Sequence, residues 1–307
     1  MQTILIAGGS GLIGTALSGL LVKEGYKVIV LSRNPRSAHD GIRYSQWNVK
    51  DQTYEVSAFQ EADVIIHLAG ENIAEKRWTA RRKKEIRDSR VDSSALIIKA
   101  LKETNNHVHT VIAASAIGWY GRDHKKAPVP FTEHDQPAAG FLGETCRMWE
   151  ESIEPVKQLG KRLVKLRTGI VISEEGGAMA EFKKPLRFGI AAILGTGNQI
   201  ISWIHIDDLC RIYLEAIRNT QLNGVYNAVA PEPCSNERLT LELAKQMRGS
   251  NFLAVHVPSF LLRLVLGEMS IEVLKSTTVS SKKLQQQGFQ FQFPTIAAAV
   301  RALHKKV

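Results

Sequence analysis

The chain has 307 residues, of which 44% are hydrophobic and 23% are charged, and its formal net charge at pH 7 is +10. These proportions are those of an ordinary globular protein. No apolar run approaches the roughly 20 residues needed to span a membrane, and no secretory leader or metal-ligand spacing is present. The three cysteines, Cys146, Cys210 and Cys234, exclude a disulfide framework. We therefore expect a cytoplasmic protein with no membrane partner and no metal.

The N-terminal half alternates short apolar runs with helical patterns, which predicts a parallel sheet covered by helices on both faces. After about Thr168 glycines interrupt this pattern, and a smaller lobe is expected over the sheet. The prediction is an α/β fold, a Rossmann-type doubly wound parallel sheet over residues 1–168, with a C-terminal substrate lobe over residues 169–307 and a shared cleft. The predicted strands are Ile4–Ala7, Lys27–Leu31, Ile42–Ser45, Val64–Leu68, Val111–Ala114 and Leu163–Leu166.

A glycine-rich turn follows the first strand. Gly8, Gly11 and Gly14 are spaced three residues apart. They stand at the start of a predicted helix in which apolar residues such as Leu12 recur at helical spacing. Such glycines let the backbone turn tightly and approach a pyrophosphate, and the helix N-terminus offers free N–H groups to that anion. The turn predicts a dinucleotide site.

The end of the second strand carries Ser32 and Arg33. Proteins that bind NAD usually place Asp or Glu there for the ribose 2′-hydroxyl, whereas a hydroxyl beside a guanidinium suits the 2′-phosphate. We therefore predict NADP(H) as the cofactor. The alternative is that Arg33 is only a surface arginine.

A basic run lies between Lys76 and Arg90. A nucleic-acid surface is one interpretation, but Trp78 is the only aromatic residue inside the run and no nucleic-acid-binding module is present. We interpret the run as a solvated helix face beside an anionic cofactor and expect no nucleic-acid partner.

Arg90 itself falls on the inward stripe of the helix that follows Trp78. An inward arginine requires an anionic or polar partner. Cofactor phosphate is one candidate, and an internal carboxylate such as Glu71 or Asp63 is the other.

Further motifs along the chain together resemble those of a known protein family. The chain resembles the extended short-chain dehydrogenase/reductases, which include sugar-nucleotide epimerases and dehydratases, through His67-Leu68-Ala69-Gly70, Ser115, Tyr120-Gly121, Arg167-Thr168-Gly169 and Trp203-Ile204-His205. Within them it resembles the atypical "epimerase family protein", or nucleoside-diphosphate-sugar epimerase, branch through Leu68 to Ile73, Arg77-Trp78-Thr79, Ser202 to Leu209, Val229 to Pro233, Leu266 to Met269 and Lys283 to Phe289. The resemblance covers residues 4 to about 303.

The resemblance implies a set of cofactor-binding residues and makes residues 1–168 the NADP(H)-binding domain. Arg90 is added to that set as a candidate. The pyrophosphate is assigned to Gly8, Gly11, Leu12, Ile13 and Gly14; the 2′-phosphate to Ser32 and Arg33; the adenosine and ribose side to Leu68, Ala69 and Gly70; and the nicotinamide side to Val171.

The usual catalytic pair of this superfamily is absent. Members normally use a Ser or Thr, a Tyr, and a Lys four residues after the Tyr that makes the phenol more acidic. Ser115 stands where the first member belongs, but none of the six tyrosines has lysine four residues later. If Glu150 is the helix glutamate that follows the pair, Leu142 and Cys146 occupy the Tyr and Lys positions.

Three residues are therefore the candidates for catalysis: Ser115, Tyr120 and Glu144, with His124 as a partner for Tyr120. The alternatives are an exposed helix glutamate for Glu144 and a packing role for Tyr120. A structural role is favoured for His205, which precedes a helix that Asp207 or Asp208 can cap.

Two functions remain open. The first is an NADP(H)-dependent oxidoreductase or epimerase that acts on a sugar nucleotide or similar polar small molecule, with Lys183, Lys184 and Arg187 as candidates for its phosphates. The second is a non-catalytic NADP(H)-binding sensor or docking module. Because extended members often dimerise, a homodimer is also expected.

Overall fold

The computed structural model describes residues 1–35, 37–123 and 129–303. Strands and helices alternate through the first half, as the apolar runs predict. The strands are β1 Thr3–Ala7, β2 Lys27–Ser32, β3 Ile42–Asn48, β4 Thr53–Tyr54, β5 Val64–His67, β6 Thr110–Ala116, β7 Arg162–Thr168, β8 Ile170–Ile172, β9 Ile190–Leu194, β10 Ile200–Ile201, β11 Trp203–His205, β12 Gly224–Ala228, β13 Cys234–Ser235 and β14 Leu253–Val257. The helices are α1 Leu12–Lys23, α2 Val56–Glu61, α3 Ala80–Glu103, α4 Phe141–Ile153, α5 Ala178–Leu186, α6 Ile206–Arg218, α7 Asn236–Arg248, α8 Ser259–Leu266, α9 Ser270–Leu274, α10 Lys282–Gln286 and α11 Ile296–Leu303.

An eight-stranded sheet forms the centre of the molecule, in the order β12-β7-β6-β5-β1-β2-β3-β4. Every neighbouring pair is parallel except β3 and β4, which are antiparallel. The six predicted strands and the α/β class are confirmed. β3 runs three residues further than predicted because Trp47 and Asn48 pair with β4 in a hairpin.

The two faces of the sheet are covered by different helices, which explains the near-continuous apolar runs. Because successive side chains of a strand point to opposite faces, Ile4 and Ile6 of β1 pack with α1 and α6, while Leu5 and Ala7 pack with α2 and α3. Within the described residues, no helix is both long and apolar enough to cross a membrane.

The chain after residue 168 does two things. Part of it returns to the sheet, since β12 pairs with β7 and α6 packs on the same face as α1. Most of the remainder forms a separate core around Met179, Trp203 and Leu239, while Leu284, Phe289 and Phe291 join the core of the main sheet. We call this remainder, residues 169–205 and 229–303, the C-terminal lobe. The division of the chain at residue 168 into a cofactor domain and a substrate domain stays a prediction. The central sheet contains strands from both sides of that residue, since β12 belongs to it.

Candidate functional site

The loop between β1 and α1 leaves backbone donors free at the carboxyl edge of the sheet. Gly8 has a φ of +85°, a conformation that favours glycine. Gly11 is the N-cap of α1 and has no side chain to accept from the first amides of the helix. These amides and the positive end of the helix dipole are available to an anion.

Side chains are excluded from this loop by close packing. A Cβ on Gly8 would lie 2.7 Å from the backbone nitrogen of Ala69, and one on Gly14 would lie 2.5 Å from the carbonyl oxygen of Gly8. The loop therefore packs against Leu68 and Ala69, which follow β5. The structure brings these two groups of predicted cofactor residues together.

Ser32 and Arg33 lie at the end of β2, next to β1. The Ser32 hydroxyl donates to the carbonyl of Asn34 at 3.0 Å and accepts from its amide at 3.2 Å. Arg33 is exposed, and no carboxylate in the described part of the chain pairs with it. The guanidinium is thus available to a phosphate at this edge of the sheet.

The loop that follows β5 is held from below by the basic helix α3. The Glu71 amide donates to Ser89 Oγ at 3.0 Å, and the Glu71 carboxylate accepts from Arg82 at 3.1 Å. Arg82, which is buried, also donates to the carbonyl of Asn72 at 2.7 Å. Part of the basic run is therefore an internal brace for the loop rather than a solvated face.

Arg90 lies directly under Gly70. A Cβ on Gly70 would be 3.1 Å from Arg90 Cζ. The guanidinium donates to two carbonyl oxygens, those of Ile86 at 2.8 Å and Glu71 at 3.1 Å, and its Cζ is 4.9 Å from the Trp149 ring centroid.

Neither internal carboxylate that the sequence offered hydrogen-bonds to Arg90. The Glu71 carboxylate binds Arg82 instead. Asp63 lies at the opposite end of the sheet, where it accepts from the Thr3 amide at 2.7 Å. Arg90 thus holds a positive charge beside the loop that follows β5, and burial lowers its pKa.

A buried ionic cluster lies beneath α4. The Ser115 hydroxyl donates to Glu150 Oε1 at 2.7 Å. The same carboxylate accepts from Arg167 at 2.8 and 3.1 Å and lies 3.4 Å from Lys165 Nζ. All four side chains are buried. Sequence reasoning used Glu150 only as a position marker and missed this cluster, although two cations at alternate positions of a buried strand, Lys165 and Arg167, require a carboxylate nearby.

Tyr120 is fully buried. Its hydroxyl donates to Asn227 Oδ1 at 2.7 Å and accepts from Arg167 Nη1 at 3.0 Å, and its ring stacks on Phe131. Burial raises the pKa of Tyr120 to about 12. A direct role for Tyr120 in proton transfer stays a prediction, and its contacts support packing and hydrogen bonding. His124 lies outside the described residues.

Glu144 is exposed near the start of α4. Its carboxylate accepts from Arg147 Nε at 2.9 Å, and this hydrogen bond lowers the pKa of Glu144. The carboxylate is therefore ionised at neutral pH and paired within its own helix. The structure does not bring Glu144 together with Ser115, whose hydroxyl points to Glu150.

The positions where the usual Tyr and Lys would stand form an apolar wall. A Cβ on Gly118 would be 3.3 Å from Leu142 Cβ and 3.4 Å from Cys146 Sγ. Burial raises the pKa of the Cys146 thiol to about 12, so the thiol stays protonated and is not a nucleophile at neutral pH.

Val171 lies in β8, at the first strand of the C-terminal lobe. A Cβ on Gly177 would be 3.0 Å from Leu12 Cδ2 and 3.9 Å from the Val171 carbonyl. The lobe therefore approaches the start of α1, and residues from both predicted domains meet there.

Two other sets of predicted residues have local structural partners. His205 is itself the N-cap of α6, because its Nδ1 accepts from the Asp207 amide at 3.2 Å. Capping by Asp207 or Asp208 is wrong, since Asp208 accepts instead from the amides of Gln292 and Phe293. The predicted phosphate-binding lysines are paired: Lys183 with Glu174 and Lys184 with Glu181, both at 2.6 Å.

Comparisons with known proteins agree with this architecture. The NAD-dependent epimerase/dehydratase family matches residues 4–228, and a domain of unknown function, DUF1731, matches residues 257–303. An epimerase family protein of Staphylococcus aureus is 33% identical over 308 residues, which cover 100% of both chains.

Two solved structures are similar over nearly the whole chain. The human epimerase family protein SDR39U1 (isoform 2), determined with NADPH, has a TM-score of 0.87 and 26% identity and covers 100% of both chains. A nucleoside-diphosphate sugar epimerase from Corynebacterium glutamicum has a TM-score of 0.76 and 31% identity; the match covers 98% of this chain and 58% of that one.

Proposed function

The chain belongs to the NAD-dependent epimerase/dehydratase family, and from that membership we propose that it binds NADP(H) and transfers hydride to or from a sugar nucleotide or a similar polar metabolite. The observation that carries the proposal is the glycine loop with Arg33 at the neighbouring strand end. NADPH in the similar human structure supports the cofactor, and the similarity to the Corynebacterium nucleoside-diphosphate sugar epimerase supports the substrate class.

The residues present fit NADP(H). A Cβ on Gly8 or Gly14 would meet the protein's own backbone, so the glycines hold the tight turn that presents the first amides of α1 to a pyrophosphate. Arg33 provides a guanidinium without a competing carboxylate partner in the described ranges, and a guanidinium binds phosphate strongly. Leu12, Ile13, Ser32, Leu68, Ala69, Gly70 and Val171 stay in the proposed cofactor site.

Arg90 joins the cofactor site in this proposal through its position. When bound, NADP(H) supplies or accepts the hydride. The Arg90 guanidinium under Gly70 donates to carbonyl oxygens, and neither Glu71 nor Asp63 hydrogen-bonds to it through its carboxylate. An anionic group beside the Gly70 loop would balance that charge.

The proton chemistry is assigned to chain residues other than a Tyr–Lys pair. Ser115 is the proposed group that polarises the substrate C–O bond, and Glu150 orients its hydroxyl. Because that hydroxyl now donates to Glu150, Ser115 must turn away from this carboxylate to donate to substrate. Glu144, which is ionised and exposed, is the proposed proton acceptor.

The proposal includes two coarser assignments. The cofactor is held mainly by residues 1–168 and the substrate by residues 169–307. The three free cysteines, all buried, support a cytoplasmic protein, because disulfides are rare in that compartment.

The test is a single-turnover assay. Protein loaded with NADPH is mixed with a panel of sugar nucleotides and simple carbonyl compounds, and NADPH fluorescence is followed. We expect oxidation by one class and its loss in Ser115→Ala, with NADPH affinity unchanged. Thr145→Ala, a hydroxyl on α4 that donates to the Phe141 carbonyl, is the matched control and should keep the activity.

A second function is favoured by one observation, the apolar wall of Gly118, Leu142 and Cys146 at the position of the usual acid/base pair. With no group there that ionises near neutral pH, the protein would bind NADP(H) as a sensor or docking module. Tight NADPH binding with no oxidation by any compound in the panel would contradict the enzymatic proposal and support this one.

A further inference from the structure

The C-terminal lobe ends its small parallel sheet with an uncovered strand. β14 pairs with β9 along one edge only, and in the described part of the chain no strand pairs with its other edge. Leu253, Ala254, Val255 and His256 are all exposed, so both faces of the strand are partly open to solvent. Free strand edges are templates for pairing with another chain, and proteins usually block them with proline, lysine or a bulge. β14 contains neither proline nor lysine.

The hydrogen bonds of β14 show which groups are free. The Leu253 amide donates to Gly189, and the Val257 carbonyl accepts from Gly195, both on the β9 side. Because alternate residues of a strand face the same edge, Val255 also faces β9. The amides and carbonyls of Ala254 and His256 therefore point to the free edge.

Large exposed apolar side chains concentrate around this strand. Nine of the twelve in the described residues lie between residues 188 and 271. They form two groups at opposite ends of β14. One group, at the start of the strand, is Phe188, Ile190 and Leu253; the other, on the helices that follow the strand, is Phe260, Leu261, Leu264, Val265 and Ile271, with Val255 between the groups.

We propose that β14 pairs antiparallel with β14 of a second copy of this chain, about a two-fold axis at Val255. Ala254 then faces His256 of the second copy, and their free amides and carbonyls form four hydrogen bonds, as in a hydrogen-bonded antiparallel pair. The two β9–β14 pairs become one four-stranded sheet.

The apolar groups fit the same two-fold arrangement. Antiparallel pairing places the start of one β14 beside the end of the other, so Phe188 and Leu253 of one copy approach α8 of the other. An interface in which the same surface serves both partners is the one that a two-fold dimer requires. Leu253 is 67% exposed, Phe188 84% and Leu264 71%, so each group has apolar area to bury. The proposal does not depend on the proposed reaction.

Disulfide cross-linking tests the register directly. Val255 sits opposite its own copy at the axis, where the Cα atoms of a non-hydrogen-bonded pair are about 4.5 Å apart, within disulfide reach. Val255→Cys should form a covalent dimer under mild oxidation. His256→Cys is the matched control and should stay monomeric on a non-reducing gel, because its own copy lies diagonally across. The native cysteines are buried and should not cross-link.

Sedimentation tests the interface without a cross-link. Wild-type protein should be a dimer at tens of micromolar. Ala254→Pro removes only an amide that β9 does not use, and Leu264→Glu charges an exposed helix position; both should give monomers that still bind NADPH. Val56→Glu, at an exposed residue of α2, should leave the dimer intact.

Several results would overturn the proposal. The first is a wild-type protein that is monomeric, whether it stays free in solution or sediments with anionic vesicles. The second is a dimer that persists in both Ala254→Pro and Leu264→Glu. The third is equal cross-linking of Val255→Cys and His256→Cys.

Discussion

The Ser115 hydroxyl and the Glu150 carboxylate are joined by a 2.7 Å hydrogen bond beneath α4. The carboxylate is also the partner of two buried cations, Arg167 and Lys165. Charges of this kind are tolerated in a protein interior only while they balance one another. The bond thus connects the proposed reacting hydroxyl to a structural ion cluster.

Glu150→Gln should destabilise the fold far more than Ser115→Ala. The first change leaves buried Arg167 without its carboxylate partner, which costs about 3–5 kcal/mol, although Lys165 keeps its ion pair with Glu154. The second change removes one hydrogen bond, about 1 kcal/mol. Urea unfolding followed by circular dichroism measures both. Equal losses would show that the cluster is not held by charge.

Arg33→Asp should reverse the cofactor preference. The change removes a charge-assisted phosphate contact, which contributes about 1.5–3 kcal/mol, and adds a carboxylate suited to a ribose 2′-hydroxyl. We expect NADPH affinity to fall at least about tenfold and NADH affinity to rise. Lys27→Asp makes the same charge change at the exposed opposite end of β2. Paired titrations in which the two variants behave alike would exclude a specific role for Arg33.

Gly14→Ala should abolish NADPH binding and weaken the fold, because its Cβ would lie 2.5 Å from the Gly8 carbonyl oxygen. Gly19→Ala is the control on the same helix: nothing lies within 4 Å of a Cβ there. This change should stabilise the protein by about 0.8–1 kcal/mol through helix propensity. Fluorescence titration and thermal unfolding measure the two effects, and a Gly14→Ala variant that binds normally would contradict the loop as the cofactor site.

His67 should make stability depend on pH below neutrality. Burial, with the nearby Arg90 charge, lowers the pKa of His67 to about 4, while an unfolded histidine has a pKa of about 6.5. Between these values the unfolded chain binds a proton that the folded chain does not. The free energy of unfolding therefore falls as pH falls from about 6.5 to 4, by up to about 1.4 kcal/mol per pH unit, with no such effect above pH 6.5.

His67→Gln tests this dependence. Urea unfolding at pH 7, 6 and 5 should show a smaller loss of stability in the variant than in the wild type, although the variant starts from a lower value because a buried contact with Ser94 is lost. His39→Gln, at an exposed histidine, should keep the wild-type slope. If His67→Gln keeps it too, the histidine is not buried neutral.

The sequence was sufficient where structure follows from local pattern. Apolar runs such as Ile4–Ala7 predict the parallel strands because both faces of the sheet are buried. The glycine spacing predicts the loop between β1 and α1 because only that backbone avoids the contacts a Cβ would make with Leu68 and Ala69.

The ion cluster of Glu150 and the hydrogen bonds of Tyr120 depend on contacts between residues that are far apart in the sequence. Glu150 meets Arg167 only because α4 packs over β6 and β7, and Tyr120 meets Asn227 across 107 positions of the chain. Spacing along a sequence carries no information on such pairs. The hydrogen bond from Arg82 to Glu71 could not be predicted for the same reason. A basic run has the same sequence whether its side chains face water or bind groups inside the protein.

Strand β12 completes the sheet beside β7 but is synthesised well after it. The outer edge of β7 pairs with Gly224–Ala228, so a nascent chain that has emerged only as far as Thr168 leaves the hydrogen-bonding groups of that edge unpaired. During those more than fifty residues of translation the edge is open to aggregation. Truncation of the chain anywhere before residue 224 therefore leaves the β7 edge of the sheet open.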